Sequence, residues 1–188
     1  MDTIKIYELD ELEQEIQERI IQEYRYSNFE YFNSYDNIDT LKKFAYTFNF
    51  DIKDYSLGEY DSYIKICISE DIKNLEYLDL HKYLLNNHFD DLYKPKYISN
   101  GKKHRYSKIL FDTSCVLTGY YMDDCILKAL YDFIKKPYKI TFKDLIESCI
   151  DEFIVAYEYD LEYCLSDEYI KEHLMINEYM YTENGIQV

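Results

Sequence analysis

The sequence predicts an α+β fold, a helix-rich single domain with a small, mainly antiparallel sheet. Apolar residues recur at helical spacing through most of the chain. Two short stretches, 50–57 and 60–68, instead alternate as strands and meet near Leu57-Gly58-Glu59, a plausible hairpin. A length of 188 residues, 47% of them apolar, suits one core. The expected domain is therefore 1–188, and if it divides, the lobes are 1–68 and a helical 106–188.

The elements follow in order. Thr3 to Tyr7 alternates and reads as a first short strand. From Asp10 the period changes: Leu9, Leu12, Ile16, Ile20 and Tyr24 share one helical face, and the helix extends towards Tyr35. Asp10 and Glu11 suit its positive end. A shorter helix from Asp39 to Phe48 has Asp39 as its cap and Leu41, Phe44, Ala45 and Phe48 inward. After the hairpin, Ser69 or Asp71 opens a helical stretch carrying Leu75, Leu78, Leu80, Leu84, Leu85 and Phe89. Lys94 to Arg105, with Pro95, Ser99, Asn100 and Gly101, reads as a loop, and Ile109 to Thr118 as a third strand. Met122 to Lys136 is helical and stops before Pro137. Thr141 caps a long helix to about Leu165, Ser166 starts another, and Glu183-Asn184-Gly185 turns the chain between two extended pieces.

Composition narrows the setting. The chain has 24 Tyr, 10 Phe and no Trp. Tyrosine buries its ring and wets its hydroxyl, so this set belongs at the core margin, although AT-rich coding also accounts for the excess. No apolar run reaches the ~20 residues of a bilayer span, and Met1-Asp2-Thr3-Ile4-Lys5 lacks the basic stretch and apolar block of a secretory signal, so none is expected. Five irregularly spaced cysteines read as free thiols, so a reducing cytoplasm is the expected setting.

Net charge is −16 and unevenly distributed. Residues 1–61 carry 15 acids and 6 bases, 62–140 carry 10 and 13, and 141–188 carry 12 and 2. Such a chain is repelled by nucleic acid and drawn to basic protein surfaces, or its acidity serves solubility alone. On the helix from Thr141, Asp144, Glu147, Asp151, Glu158 and Glu162 fall within an arc of roughly 60°, a stripe about 27 Å long. Lys143 is the one base along it. This row resembles the charge spacing of a nucleic-acid backbone, and is equally the composition of a solvated face. The opposite feature is a basic stretch of Lys94, Lys96, Lys102, Lys103, Arg105 and Lys108, interleaved with His104, Tyr97 and Tyr106. That mixture suits phosphate contact and base stacking, or neutralises the acidic ends in cis.

Motifs for chemistry are sparse. Gly58, Gly101, Gly119 and Gly185 are too scattered for a phosphate cradle. No Cys-x-x-Cys or His-Glu-x-x-His occurs, and His81 and His88, two helical turns apart, read as margin histidines. A Cys–His nucleophile or a carboxylate pair stays open in so rich a set of side chains. No catalytic residue, metal or cofactor is expected.

Tyr7-Glu8-Leu9-Asp10-Glu11-Leu12, leading into a helix through Tyr24-Arg25, resembles the opening of a group of small acidic phage and prophage proteins. The runs Leu117-Thr118-Gly119-Tyr120-Tyr121, Thr141-Phe142-Lys143-Asp144-Leu145, Leu165-Ser166-Asp167-Glu168-Tyr169-Ile170 and Asn177-Glu178-Tyr179-Met180-Tyr181-Thr182-Glu183-Asn184-Gly185 are similar to their C-terminal half. The Trp- and Gly-rich segment usual between these parts is absent. The resemblance implies a mobile element of a low-GC bacterium, where small acidic proteins of this kind include anti-CRISPR inhibitors.

The expected function is an inhibitor that binds a host defence nuclease, or another basic nucleic-acid-binding protein, through acidic surface and by nucleic-acid mimicry. The expected partner-binding residues are the five carboxylates of the stripe. The alternatives are a small enzyme acting on nucleic acid through the Lys94–Lys108 stretch, and an antitoxin-like binding module.

Overall fold

Helical spacing of apolar residues produces helices over most of the chain, and the fold is the expected helix-rich α+β class with a two-stranded antiparallel sheet. The computed structural model describes the backbone of residues 5–32, 35–92, 97–99, 102–104 and 115–188, and the side chains of 5–28, 36–89, 92 and 115–188. Two compact units emerge, one from residues 1–34 with 159–188, the other from 35–158. The sequence suggested lobes at 1–68 and 106–188; the first unit instead joins the two ends of the chain.

In that unit a 3-10 turn, Leu9–Glu11, precedes α1, Gln14–Phe32. The expected continuous helix from Asp10 is thus broken. Leu12 is extended, and with both Leu9 and Leu12 buried the turn folds two apolar side chains into the core. Glu11 closes the turn by accepting from the Glu8 amide at 2.9 Å. Of the expected strand at 3–7, Thr3 and Ile4 lie outside the described residues. Tyr7 makes a single bridge to Tyr181, with reciprocal amide–carbonyl bonds of 2.8 and 2.9 Å. Ile20, Ile21, Ile170, Leu174 and Tyr181 complete this core with Leu9 and Leu12. Helix α8, Asp167–Ile176, starts as predicted at Ser166, whose hydroxyl accepts from the Tyr169 amide. The Asn-Gly turn also forms as expected: Gly185 sits at φ +74, donates to Thr182, and lets Thr182 bond Ile186.

In the second unit α2 spans Tyr35–Phe48, starting earlier than predicted, so Asp39 lies inside the helix rather than capping it. The extra turn inserts Asn37, which is buried like Thr40. Leu41, Phe44, Ala45 and Phe48 face inward as predicted. Strands β1, Phe50–Ser56, and β2, Tyr63–Ile68, pair antiparallel, with a bulge between Ile52 and Asp54.

The helical stretch from Ser69 is three pieces: α3 at Glu70–Lys73, α4 at Tyr77–Asn87 and α5 at Phe89–Leu92. Competition for backbone hydrogen bonds explains the first break. Leu75 accepts from the Phe142 amide at 2.8 Å, and Glu76 bridges to Thr141, so these residues serve a remote partner instead of the helical ladder. Leu78 consequently faces solvent, while Leu80 and Leu84 are buried.

The expected loop at 94–105 contains a short antiparallel pair, β3 at Tyr97–Ser99 and β4 at Lys102–His104. Of the expected strand at 109–118, residues 109–114 lie outside the described residues, and Cys115 to Thr118 are not strand. Helix α6, Met122–Lys135, and helix α7, Phe142–Cys164, follow the prediction closely. The turns of α7 from Tyr159 onward are grouped with the first unit.

Candidate interaction surface

Thr141 starts α7 as its sequence position requires, accepting from the Asp144 amide at 3.1 Å and donating to the Asp144 carboxylate at 2.7 Å. Leu145, Cys149, Phe153 and Tyr157 are almost wholly buried. Their burial sets the rotation of the helix, and the carboxylates take the other side. Asp144 and Asp151 are exposed, and Glu147 and Glu158 half-exposed. Glu162 is exposed too, on a turn of the same helix that belongs to the first unit.

The stripe is less uniform than its acids suggested. Lys143 lies 3.4 Å from Glu147, an exposed pair whose contribution to stability is small. Val155, 65% exposed, stands between Asp151 and Glu158 on the same face. Helical arithmetic alone locates it, four residues after Asp151 and three before Glu158, but attention to charge passed over it. Beside the stripe, Glu152 is held by Lys128 at 2.7 Å.

For the basic stretch, Lys94, Lys96, Arg105 and Lys108 lie outside the described residues. Lys102 and Lys103 are placed on β4 by their backbone, Lys102 opposite Ser99 and Lys103 opposite Ile98.

His81 and His88 serve packing. A nitrogen of His81 lies 3.2 Å from the Ile134 carbonyl with its ring edge-on to Phe133, and His88 packs against the rings of Phe48 and Tyr83. The described residues hold no group of three or more His, Cys, Asp or Glu placed to bind a metal. Burial pushes the Cys149 thiol up to about 12, so it stays protonated and inert. No helix among the described residues is long and apolar enough to cross a membrane.

The strongest polar site is one the sequence reading missed. Asp123, in the first turn of α6, is fully buried. Its carboxylate accepts from the amides of Leu117, Thr118 and Gly119 at 2.9, 2.7 and 3.1 Å, and from the hydroxyls of Thr118 and Thr40 at 2.7 and 3.2 Å. The signal was a Thr-Gly turn just before an Asp-Asp helix start. This constellation ties the turn to α2 and α6; every lone pair is used for structure.

Its neighbour Asp124 bears the electrostatic consequence. Partial burial, with Asp123 beside it, holds the Asp124 carboxyl above its ordinary value. A raised carboxyl favours the fold below the unfolded-state pKa and loses that contribution as pH rises through the folded-state value. Asp124→Asn is therefore expected to raise the melting temperature near pH ~7 and to give no gain near pH ~3. Thermal scans across that range check it; an equal gain at both ends would rule out titration of this group as the cause.

No protein-family model matches this chain, and no curated protein or solved structure matches it.

Proposed function

We propose that the protein is an inhibitor carried by a phage or other mobile element, binding a basic nucleic-acid-binding host protein such as a defence nuclease. The observation that supports this most is the outer face of α7. Asp144, Glu147, Asp151 and Glu158 lie there against one lysine, within a chain of net charge −16. Positive grooves that hold nucleic acid are complementary to a rigid row of carboxylates, and helical geometry keeps that row at fixed spacing. Val155 adds an exposed apolar contact to the same face, as interfaces commonly combine an apolar centre with a polar rim.

The experiment is inhibition of a panel of purified RNA-guided nucleases by the wild-type protein and by the variant with Glu147→Lys, Asp151→Lys and Glu158→Lys. The variant is expected to melt at the wild-type temperature or slightly above, because exposed like charges repel. Its inhibition is expected to weaken by more than about tenfold, and wild-type affinity to fall steeply with salt. Inhibition unchanged by the triple reversal, or flat against ionic strength, would remove α7 from the interface.

A further inference from the structure

In the first unit three short extended pieces lie side by side: Tyr7 bridges Tyr181, and Tyr181 bridges Gln187. The Val188 amide donates to the Met180 carbonyl at 3.0 Å and the Thr182 amide to the Ile186 carbonyl at 2.9 Å, which closes the C-terminal pair. Side chains of extended chain alternate between two faces, so this register sorts them. Tyr7 and Tyr181 pack into the core with Leu9 and Ile20, and a Cβ on Gly185 would meet Ile16 of α1 at 2.7 Å. That is the inner face. The residues next to these in each piece, Ile6, Met180, Thr182, Ile186 and Val188, therefore share the outer one. Ile6 is 49% exposed, Ile186 65% and Val188 73%. One exposed aliphatic side chain is ordinary, but strand pairing gathers these three from opposite ends of the chain into a single apolar face.

Charge decides what covers it. Residues 1–34 and 159–188, which form this unit, hold 16 acids against 4 bases, whereas 35–158 hold 21 against 17. The unit thus carries a net −12 of the chain's −16. Close to the apolar face, Glu183 stands in the turn that joins Thr182 to Ile186, and Glu178 two residues before Met180; both are exposed. Lys5, next to Ile6, is the one base in these pieces. Two copies meeting through this face would bring two units of net −12 together, and like charges repel. A surface that presents apolar side chains among Lys and Arg meets the face without that repulsion, apolar against apolar at the centre and opposite charge at the rim.

We propose that the outer face of Ile6, Ile186 and Val188 is a docking surface for a basic protein, which sets apolar side chains on it and flanks them with Lys or Arg. The proposal rests on the reading that the partner is basic, and gives that partner an apolar anchor in the unit that carries most of the net charge.

The test adds three acetylated, amidated heptapeptides to the full chain and reads binding from the isoleucine and valine methyl signals by NMR. The probe is Lys-Leu-Lys-Phe-Lys-Leu-Lys; one twin has Glu for every Lys, the other Ser for every apolar residue. The probe is expected to bind saturably and to shift the Ile6, Ile186 and Val188 methyls ahead of all others. Each twin should bind at least about tenfold more weakly, the acidic one by repulsion and the polar one for want of an apolar centre. Ile186→Ser with Val188→Ser should weaken the probe about five- to tenfold and melt as wild type does, since both side chains are exposed. The α7 triple variant should bind the probe unchanged. A panel in which no nuclease is inhibited would remove the proposed function and leave the peptide result standing. A probe that does not bind, or that shifts other methyls first, overturns the docking surface whatever the nucleases do. Equal binding of either twin overturns it as well. So does a concentration-dependent dimer that Ile186→Ser with Val188→Ser abolishes, since a second copy would then hold the face.

Discussion

Replacing Asp123 with alanine is expected to cost about 3–5 kcal/mol of stability and to lower the melting temperature by about 10 °C. The carboxylate is fully buried and accepts three backbone amides and two hydroxyls. Alanine leaves the amides of Leu117, Thr118 and Gly119 without their acceptor at the start of α6. Each unsatisfied donor that stays buried costs about 1–3 kcal/mol, and relaxation of the turn towards water recovers part of it. Asp123→Asn keeps the shape and one acceptor oxygen but points a donor at donors, so it should fall between alanine and wild type. Urea unfolding followed by circular dichroism measures all three. A loss below about 1 kcal/mol for alanine would show that the turn is held by other contacts.

The second large effect contrasts two residues on one helix. Phe153→Ala is expected to destabilise by about 3–5 kcal/mol, because Phe153 is wholly buried and its removal leaves a cavity beside Tyr157. Asp151→Lys, two residues earlier on the exposed side, should change stability by less than about 0.5 kcal/mol. Both are read from denaturant midpoints with the slope checked for constancy. A Phe153→Ala loss as small as that of Asp151→Lys would mean that the buried side of α7 does not set its rotation. The outward placement of the carboxylates, on which the proposed function stands, would then lose its structural basis.

How much of this was legible from residues alone varied along the chain. The last three long helices were, because α6, α7 and α8 each carry their own boundary signals. Pro137 follows α6, Thr141 caps α7 and Ser166 caps α8, with the apolar face marked within each. The stripe on α7 was legible for the same reason, since rotation about a helix axis follows from spacing once one face is apolar. The stretch from Ser69 to Leu92 was not. Its leucines keep a helical beat through Asn74 and Leu75, yet the backbone there bonds Phe142 and Thr141, more than sixty residues away. Asp123 was missed because its burial depends on where Thr40 and the turn at Thr118 arrive.

By itself, the sequence determined the helix-rich class, the β1–β2 hairpin, the caps and rotation of α7 and α8, and the turn at Gly185. These are set by neighbours within one or two turns of chain, where capping hydroxyls, apolar spacing and a permissive glycine act directly. Tertiary structure alone decided the bridge of Tyr7 to Tyr181, the break before α4, and the burial of Asp123 under three amides. In each of these a backbone or carboxylate group has several local partners of nearly equal strength. The choice among them falls to whichever remote segment excludes water from the site, because a hydrogen bond gains most where its loss would leave a buried group unpaired.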